Sequence, residues 1–287
     1  MKNRNQDKKN TYYKFNFLGL SFIMVLILII SSWVFIFNVE KASISDLFSE
    51  KNIHHTKKFL LGLLGTREEN PAFLDMESIK NVLKLSLETL KMSVMAIGFA
   101  TIGMLFTVIP AARNTADGTL TLSKKWYDKV IFTIIRCLYV FSRSVPELVW
   151  AMIVVFIFKP GILPGSIALA LHNFGILGKL CAEIVEDLDI RPIRNLASSG
   201  ASKGQILIYG VVPAVMPKFI TFILYRWEVI IRTTIVVGFV GAGGLGQQFK
   251  LSMSWFHYSE ITLILICYLL LVFFADLLSD GFRRLVQ

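Results

Sequence analysis

The chain has 287 residues, 54% of them hydrophobic, with a mean hydropathy of +0.61 and a formal net charge of +10 from 30 basic and 20 acidic side chains. That apolar share exceeds the roughly 45–50% typical of soluble domains, and residues 15–39, 92–112 and 160–178 carry no charge at all. These runs are continuous rather than alternating, which points away from a lipid-embedded barrel, and the basic residues fall mainly between them, which points away from nucleic acid as a partner.

In chain order, the first segment is basic (Lys2, Arg4, Lys8, Lys9, Lys14) and leads into an apolar run at 15–38. That run is too long for a signal-peptide core, and Asn38-Val39-Glu40 is no small-residue cleavage site, so a retained membrane helix is expected. Residues 40–80 are polar and mixed in charge, with a turn at Asn70-Pro71 and one amphipathic helix expected near Leu47–Leu64. Five further spans follow, at about 86–111, 128–158, 162–182, 214–239 and 260–280. The expected architecture is all-α and polytopic. Residues 1–80 would form a tail, anchor and external loop, residues 84–280 a membrane domain, and residues 281–287 a second tail.

Loop charge sets the expected orientation. With the N-terminus inside, the inner segments 1–16, 113–129, 179–218 and 281–287 hold five, four, five and two Lys/Arg. The outer segments 38–81, 159–161 and 240–259 hold six, one and one, and the six are offset by seven acids. The positive-inside rule therefore favours both termini in the cytoplasm.

The cysteines (Cys137, Cys181, Cys267) form no C-x-x-C pair, and the histidines (His54, His55, His172, His257) are scattered, so no metal site or cofactor is expected. The longest inner loop, Glu183 to Pro213, is the most polar stretch of the membrane domain. Pro192 suits a helix start, while Ser199-Gly200-Ala201-Ser202 reads as a helix stop followed by an N-cap. A short helix, a turn at Gly200 and a second helix leading to Pro213 are expected: either a lever for a soluble partner or a plain connector.

At this loop the chain resembles the ABC importer permeases. Gly200-Ala201-Ser202 with Pro213 thirteen residues after the glycine is similar to their cytoplasmic Glu-Ala-Ala loop. The phosphonate-type branch is nearer still. The matching stretches are Arg143-Ser144-Val145-Pro146-Glu147-Leu148, Gly178-Lys179-Leu180 with Ala182-Glu183, Leu224-Tyr225-Arg226-Trp227-Glu228, Val240 to Gly246, and Asp276-Leu277-Leu278-Ser279. The resemblance covers 84–287 and implies the type I importer fold of about six transmembrane helices in a bacterial inner membrane. It also implies two cytoplasmic ABC ATPase subunits docked on the loop (Arg194, Asn195, Leu196, Ala197, Gly200, Ala201, Ser202, Pro213), an external substrate-binding protein and a second permease copy. Where the family usually has Glu-Ala, this chain has Arg194-Asn195.

Gly241, Gly243, Gly244 and Gly246 spell G-x-G-x-x-G, but after a membrane helix rather than a strand, so a helix break near an external gate is expected instead of a dinucleotide site. Gly178-Lys179 lacks the P-loop spacing, so any ATP hydrolysis belongs to another chain, and no nucleophile–base motif marks an enzyme. Inside the spans lie Arg136, Arg143, Glu147, Arg226, Glu228 and Arg232. Intramembrane charges face a cavity or pair. Arg143 with Glu147 and Glu228 with Arg232 have the i,i+4 spacing for pairing, and Arg226 is the expected partner of an anion or of Glu147. These charges form either a structural network or a pathway for a phosphonate-like anion. An ion-coupled secondary transporter is the alternative, and a membrane enzyme a third.

Overall fold

In a computed structural model, residues 17–38, 43, 45, 48–66, 68, 70–120 and 125–286 are described; the basic N-terminal segment lies outside them. The chain divides into two compact units, 1–60 and 61–287. All regular structure among the described residues is helical.

In the first unit, α1 (Phe17–Asn38) is a 22-residue apolar helix with no buried residue, about 33 Å long at 1.5 Å per residue. That length and that uniformly apolar surface suit a helix whose solvent is lipid. The expected amphipathic helix is α2 (Glu50–Leu63).

The second unit holds α3 (Met76–Thr107), α4 (Trp126–Ser144), α5 (Glu147–Phe158), α6 (Ile162–Glu186), α7 (Ile190–Ser198), α8 (Lys203–Ala242), α9 (Gly244–Ser254) and α10 (Tyr258–Val286). Asp75 caps α3 by accepting the Ser78 N–H at 2.8 Å, and the hydrogen bonds from Ser78 hold its carboxyl below the usual carboxylate range. The centre of the unit is α6, which packs on α3, α4, α5 and α8. Its small residues allow the close approach that membrane helices need in place of a hydrophobic driving force. A Cβ on Gly178 would meet the Tyr139 ring at 2.3 Å, and one on Gly175 would meet the Tyr139 carbonyl at 2.5 Å, so α4 and α6 touch through glycine.

Three expectations need correction. The third span is not one helix: α4 and α5 meet at 93°, with the break at Val145-Pro146. Proline supplies no N–H, and the residue before it avoids the helical region; Val145 is extended at φ −83°, ψ 122°. The fifth span runs 203–242 rather than 214–239. Pro213 does not break it, because residues Ile206–Val211 form a π-helical turn in which the Val212 N–H reaches back five residues to the Leu207 carbonyl, and Pro217 lies inside the helix that continues from there. Finally, the outer segment 240–259 carries a helix, α9, and residues of the expected C-terminal tail continue α10 to Val286.

Candidate functional site

Three places gather the residues singled out in the sequence. The first is the loop at 187–205. Asp189 caps α7, which carries Arg194, Asn195, Leu196 and Ala197, and Gly200 follows its C-terminus at φ +83°. The Ala201 N–H bonds the Leu196 carbonyl at 3.1 Å and the Gly200 N–H bonds the Ala197 carbonyl at 3.0 Å, the two bonds of a Schellman stop. Ser202 then opens α8 with a reciprocal capping box: its N–H donates to Gln205 Oε1 at 2.8 Å, and its hydroxyl accepts the Gln205 N–H. The helix–turn–helix expected here is present. Its second arm is continuous with the fifth span through Pro213.

The second place is the glycine break. Gly241 (φ +99°), Gly243 (φ +90°) and Gly244 (φ +66°) turn the chain from α8 into α9, and Gly246 lies so close to the Ile235 carbonyl that a Cβ would sit 2.2 Å from its oxygen. The Gly241 carbonyl accepts the Gly161 N–H at 3.1 Å, which ties this break to the start of α6.

The third place is the break in the third span. A helix end inside a membrane leaves carbonyls that only the protein can satisfy. Trp150 Nε1 donates to the Ser142 carbonyl at 3.0 Å, and His172 Nδ1 lies 2.9 Å from the Val145 carbonyl. His172 Nε2 faces Glu147 Oε1 at 3.5 Å. Beside it, buried Asn173 donates to the Leu169 carbonyl at 2.7 Å, which fixes its amide so that Oδ1 accepts Arg226 Nε at 2.9 Å and Arg226 NH2 at 2.5 Å.

The ion pairs expected from i,i+4 spacing are not the ones formed. The bend at Pro146 separates Arg143 from Glu147: Glu147 turns to His172, and half-buried Arg143 has no hydrogen bond or ion pair among the described residues. Glu228, 8% exposed, pairs with Arg283 at 2.7 Å rather than with Arg232, which pairs with Asp276 at 3.0 Å. Both pairs join α8 to the antiparallel α10. Glu228 thus lies level with the last turn of α10. Arg136 binds Glu186 and donates to the Ala111 carbonyl at 2.8 Å, closing one end of α4 on α6. Arg226 is near enough to Glu147 to feel its charge, but its direct partner is the neutral Asn173.

Residues 103–287 match the family of binding-protein-dependent transport system inner membrane components. The chain belongs to this family of ABC importer permeases. It is 35% identical over 210 residues, 73% of each chain, to a phosphite transport system permease protein of Stutzerimonas stutzeri. It is 31% identical over 224 residues to a phosphate-import permease protein of Mycolicibacterium smegmatis, covering 78% of this chain and 39% of that one. Its fold is similar to that of the methionine ABC transporter MetNI in an inward-facing conformation, with a TM-score of 0.64 at 15% identity over 74% of this chain and 99% of the other. The secondary-transporter and membrane-enzyme alternatives fall with this result: the family is one of permease subunits, multi-pass in the membrane, with ATP hydrolysis on a separate chain.

Sequence reasoning missed four residues of the permease: His172, Asn173, Asp276 and Arg283. The first two lie in an uncharged run, where a buried histidine beside an asparagine is itself the signal, since neither polar group tolerates lipid without a partner. The other two lie in the last span, where spacing alone cannot reveal a partner on another helix.

Proposed function

We propose that this permease carries a phosphorus oxyanion of the phosphite, phosphonate or phosphate class. An external binding protein delivers the anion, a second copy of the chain completes the pore, and two cytoplasmic ABC ATPases dock on the 190–205 loops. ATP binding draws the two loops together, and α8 carries that motion into the span. Both termini and the loop lie on the cytoplasmic side.

The observation that carries the substrate class is Arg226. Its guanidinium is half-buried within a span and fixed by two hydrogen bonds to a carboxamide, not a carboxylate. A neutral anchor orients the fork without cancelling its charge, and a second arginine, Arg143, is also unpaired. Planar, pre-oriented guanidinium suits a tetrahedral oxyanion, which it grips with two parallel bonds. The relatives that transport phosphite and phosphate support the same class.

Uptake of radiolabelled phosphite in cells expressing the whole importer tests this. Arg226→Lys keeps the charge but loses the fork and Asn173's double contact, so KM should rise about tenfold or more with the chain still present in the membrane. Unchanged uptake kinetics would leave Arg226 a purely structural role.

A further inference from the structure

We propose that Glu147 and His172 form an intramembrane proton-binding site that closes the break in the third span and sets the charge of the anion-facing centre. The first step is the tautomer. The Val145 carbonyl can only accept, so His172 Nδ1 at 2.9 Å must carry a hydrogen. The other nitrogen, Nε2, then faces a carboxylate oxygen at 3.5 Å, with both side chains largely shielded. A bare lone pair against an ionised carboxylate is repulsive at that distance. One proton between the two groups turns the contact into an attraction, as an imidazolium facing a carboxylate or a carboxylic acid facing an imidazole. The pair is built to hold that proton.

The second step is what the proton does. The charged group that faces the pair is Arg226 of α8, near enough to Glu147 to feel its charge, with the phenol of Tyr225 next to it. Arg143 of α4 forms no ion pair with Glu147. The stretch of α3 at this level, within 92–112, is uncharged, as is Gly238–Ala242. On α6 itself the neighbour is the neutral Asn173. One guanidinium, Arg226, against one carboxylate leaves no formal net charge at the centre, and the proton on the pair makes it plus one. Proton uptake therefore strengthens the centre for a dianion, and proton release weakens it and loosens the clasp on the Val145 carbonyl. His172 and Glu147 are on this reading specificity-determining residues: they choose which ionisation state of the oxyanion the pathway holds. This consequence rests on the oxyanion reading above, whereas the proton site itself does not.

The test keeps the two apart. The full-length chain is labelled with 15N-histidine in lipid nanodiscs and read by NMR from about pH 5 to 9. There are four histidines, and His172→Gln assigns the signal. The expected result is Nδ1 protonated throughout and one protonation step at Nε2 that Glu147→Gln displaces. A bare Nδ1, or a step that Glu147→Gln leaves in place, overturns the site. Phosphite uptake by the whole importer is then compared across the same range, with Glu147→Asp as the variant that keeps the acid. Phosphite ionises identically in every assay, so a difference between variants belongs to the protein. Wild type and Glu147→Asp should share a pH dependence reaching about tenfold per pH unit at its steepest, the signature of one proton, which Glu147→Gln flattens. Identical profiles for wild type and Glu147→Gln would overturn the link to transport. Wild type that carries no phosphite, phosphonate or phosphate at any pH would overturn the substrate class while leaving the NMR result to decide the proton site.

Discussion

Arg226 and Arg232 are six residues apart on one helix and meet opposite partners: the first a neutral amide that leaves its charge free, the second an aspartate that cancels it. Glu228, between them, belongs with the cancelled group. Removing one side of a buried pair exposes the other to an uncompensated environment, at about 3–5 kcal/mol. Glu228→Ala should fall near the lower figure, because Arg283 keeps Asp280 at 2.6 Å. Thermal unfolding in detergent should show that loss. Glu228→Ala combined with Arg283→Ala should recover part of it, and Glu228→Ala combined with Arg232→Ala should be additive. Recovery with Arg232→Ala instead would contradict the pairing. That these charges lie within helices long and apolar enough to span a membrane was legible in the sequence, and so was their need for partners. Which partners they find was not, because i,i+4 spacing sees one helix at a time. Pro146 bends Arg143 away from Glu147, and Asp276 and Arg283 reach Arg232 and Glu228 from a helix some fifty residues downstream.

Among the elements, the α7–turn–α8 helix pair was legible almost residue by residue: its signals are local, a proline near a helix start, a glycine at its stop and a serine at the next N-cap. The extent of the fifth span was not, since two prolines within five residues read as a helix boundary. The π-helical turn just before Pro213 lets the helix continue there. The right angle in the third span was equally hidden, because its stabilising donors, Trp150 and His172, act on carbonyls that a sequence does not display. The lever yields a clean prediction. A Cβ on Gly200 would meet nothing within 4 Å, so crowding does not explain the glycine; its φ of +83° does. Gly200→Val should strain the turn by about 1–3 kcal/mol, while Gly200→Asn, which tolerates this conformation, should be mild. ATPase activity of the reconstituted importer should continue in Gly200→Val with transport per ATP sharply reduced, and Gly200→Asn should remain coupled. Full coupling in the valine variant would remove the lever.

At the scale of the whole molecule, the proposed sidedness rests on span parity. Counting the bent α4–α5 pair as one crossing, α1, α3, α4–α5, α6, α8 and α10 make six, and the loop at 187–205 follows the fourth. On the proposed orientation an even number of crossings puts that loop on the side of the N-terminus, which its Lys/Arg content would put in the cytoplasm. The polar turn at Asn70, after one crossing, would then face outward. It belongs to a cavity of about 450 Å³ lined by Glu68, Asp75, His257, Ser259 and Glu260, whose acids contrast with the basic inner loops. These two exposed positions give a two-sided measurement. In a chain with Cys137, Cys181 and Cys267 replaced, Asn70→Cys should react with a membrane-impermeant maleimide in intact spheroplasts, while Ser199→Cys should react only after the membrane is opened. The reverse pattern would place the ATPase lever outside the cell, where no ATP is supplied, and would overturn the orientation together with the docking site. Labelling of both positions from outside would mean that the bent pair does not cross, because only an odd number of spans between 70 and 199 separates them.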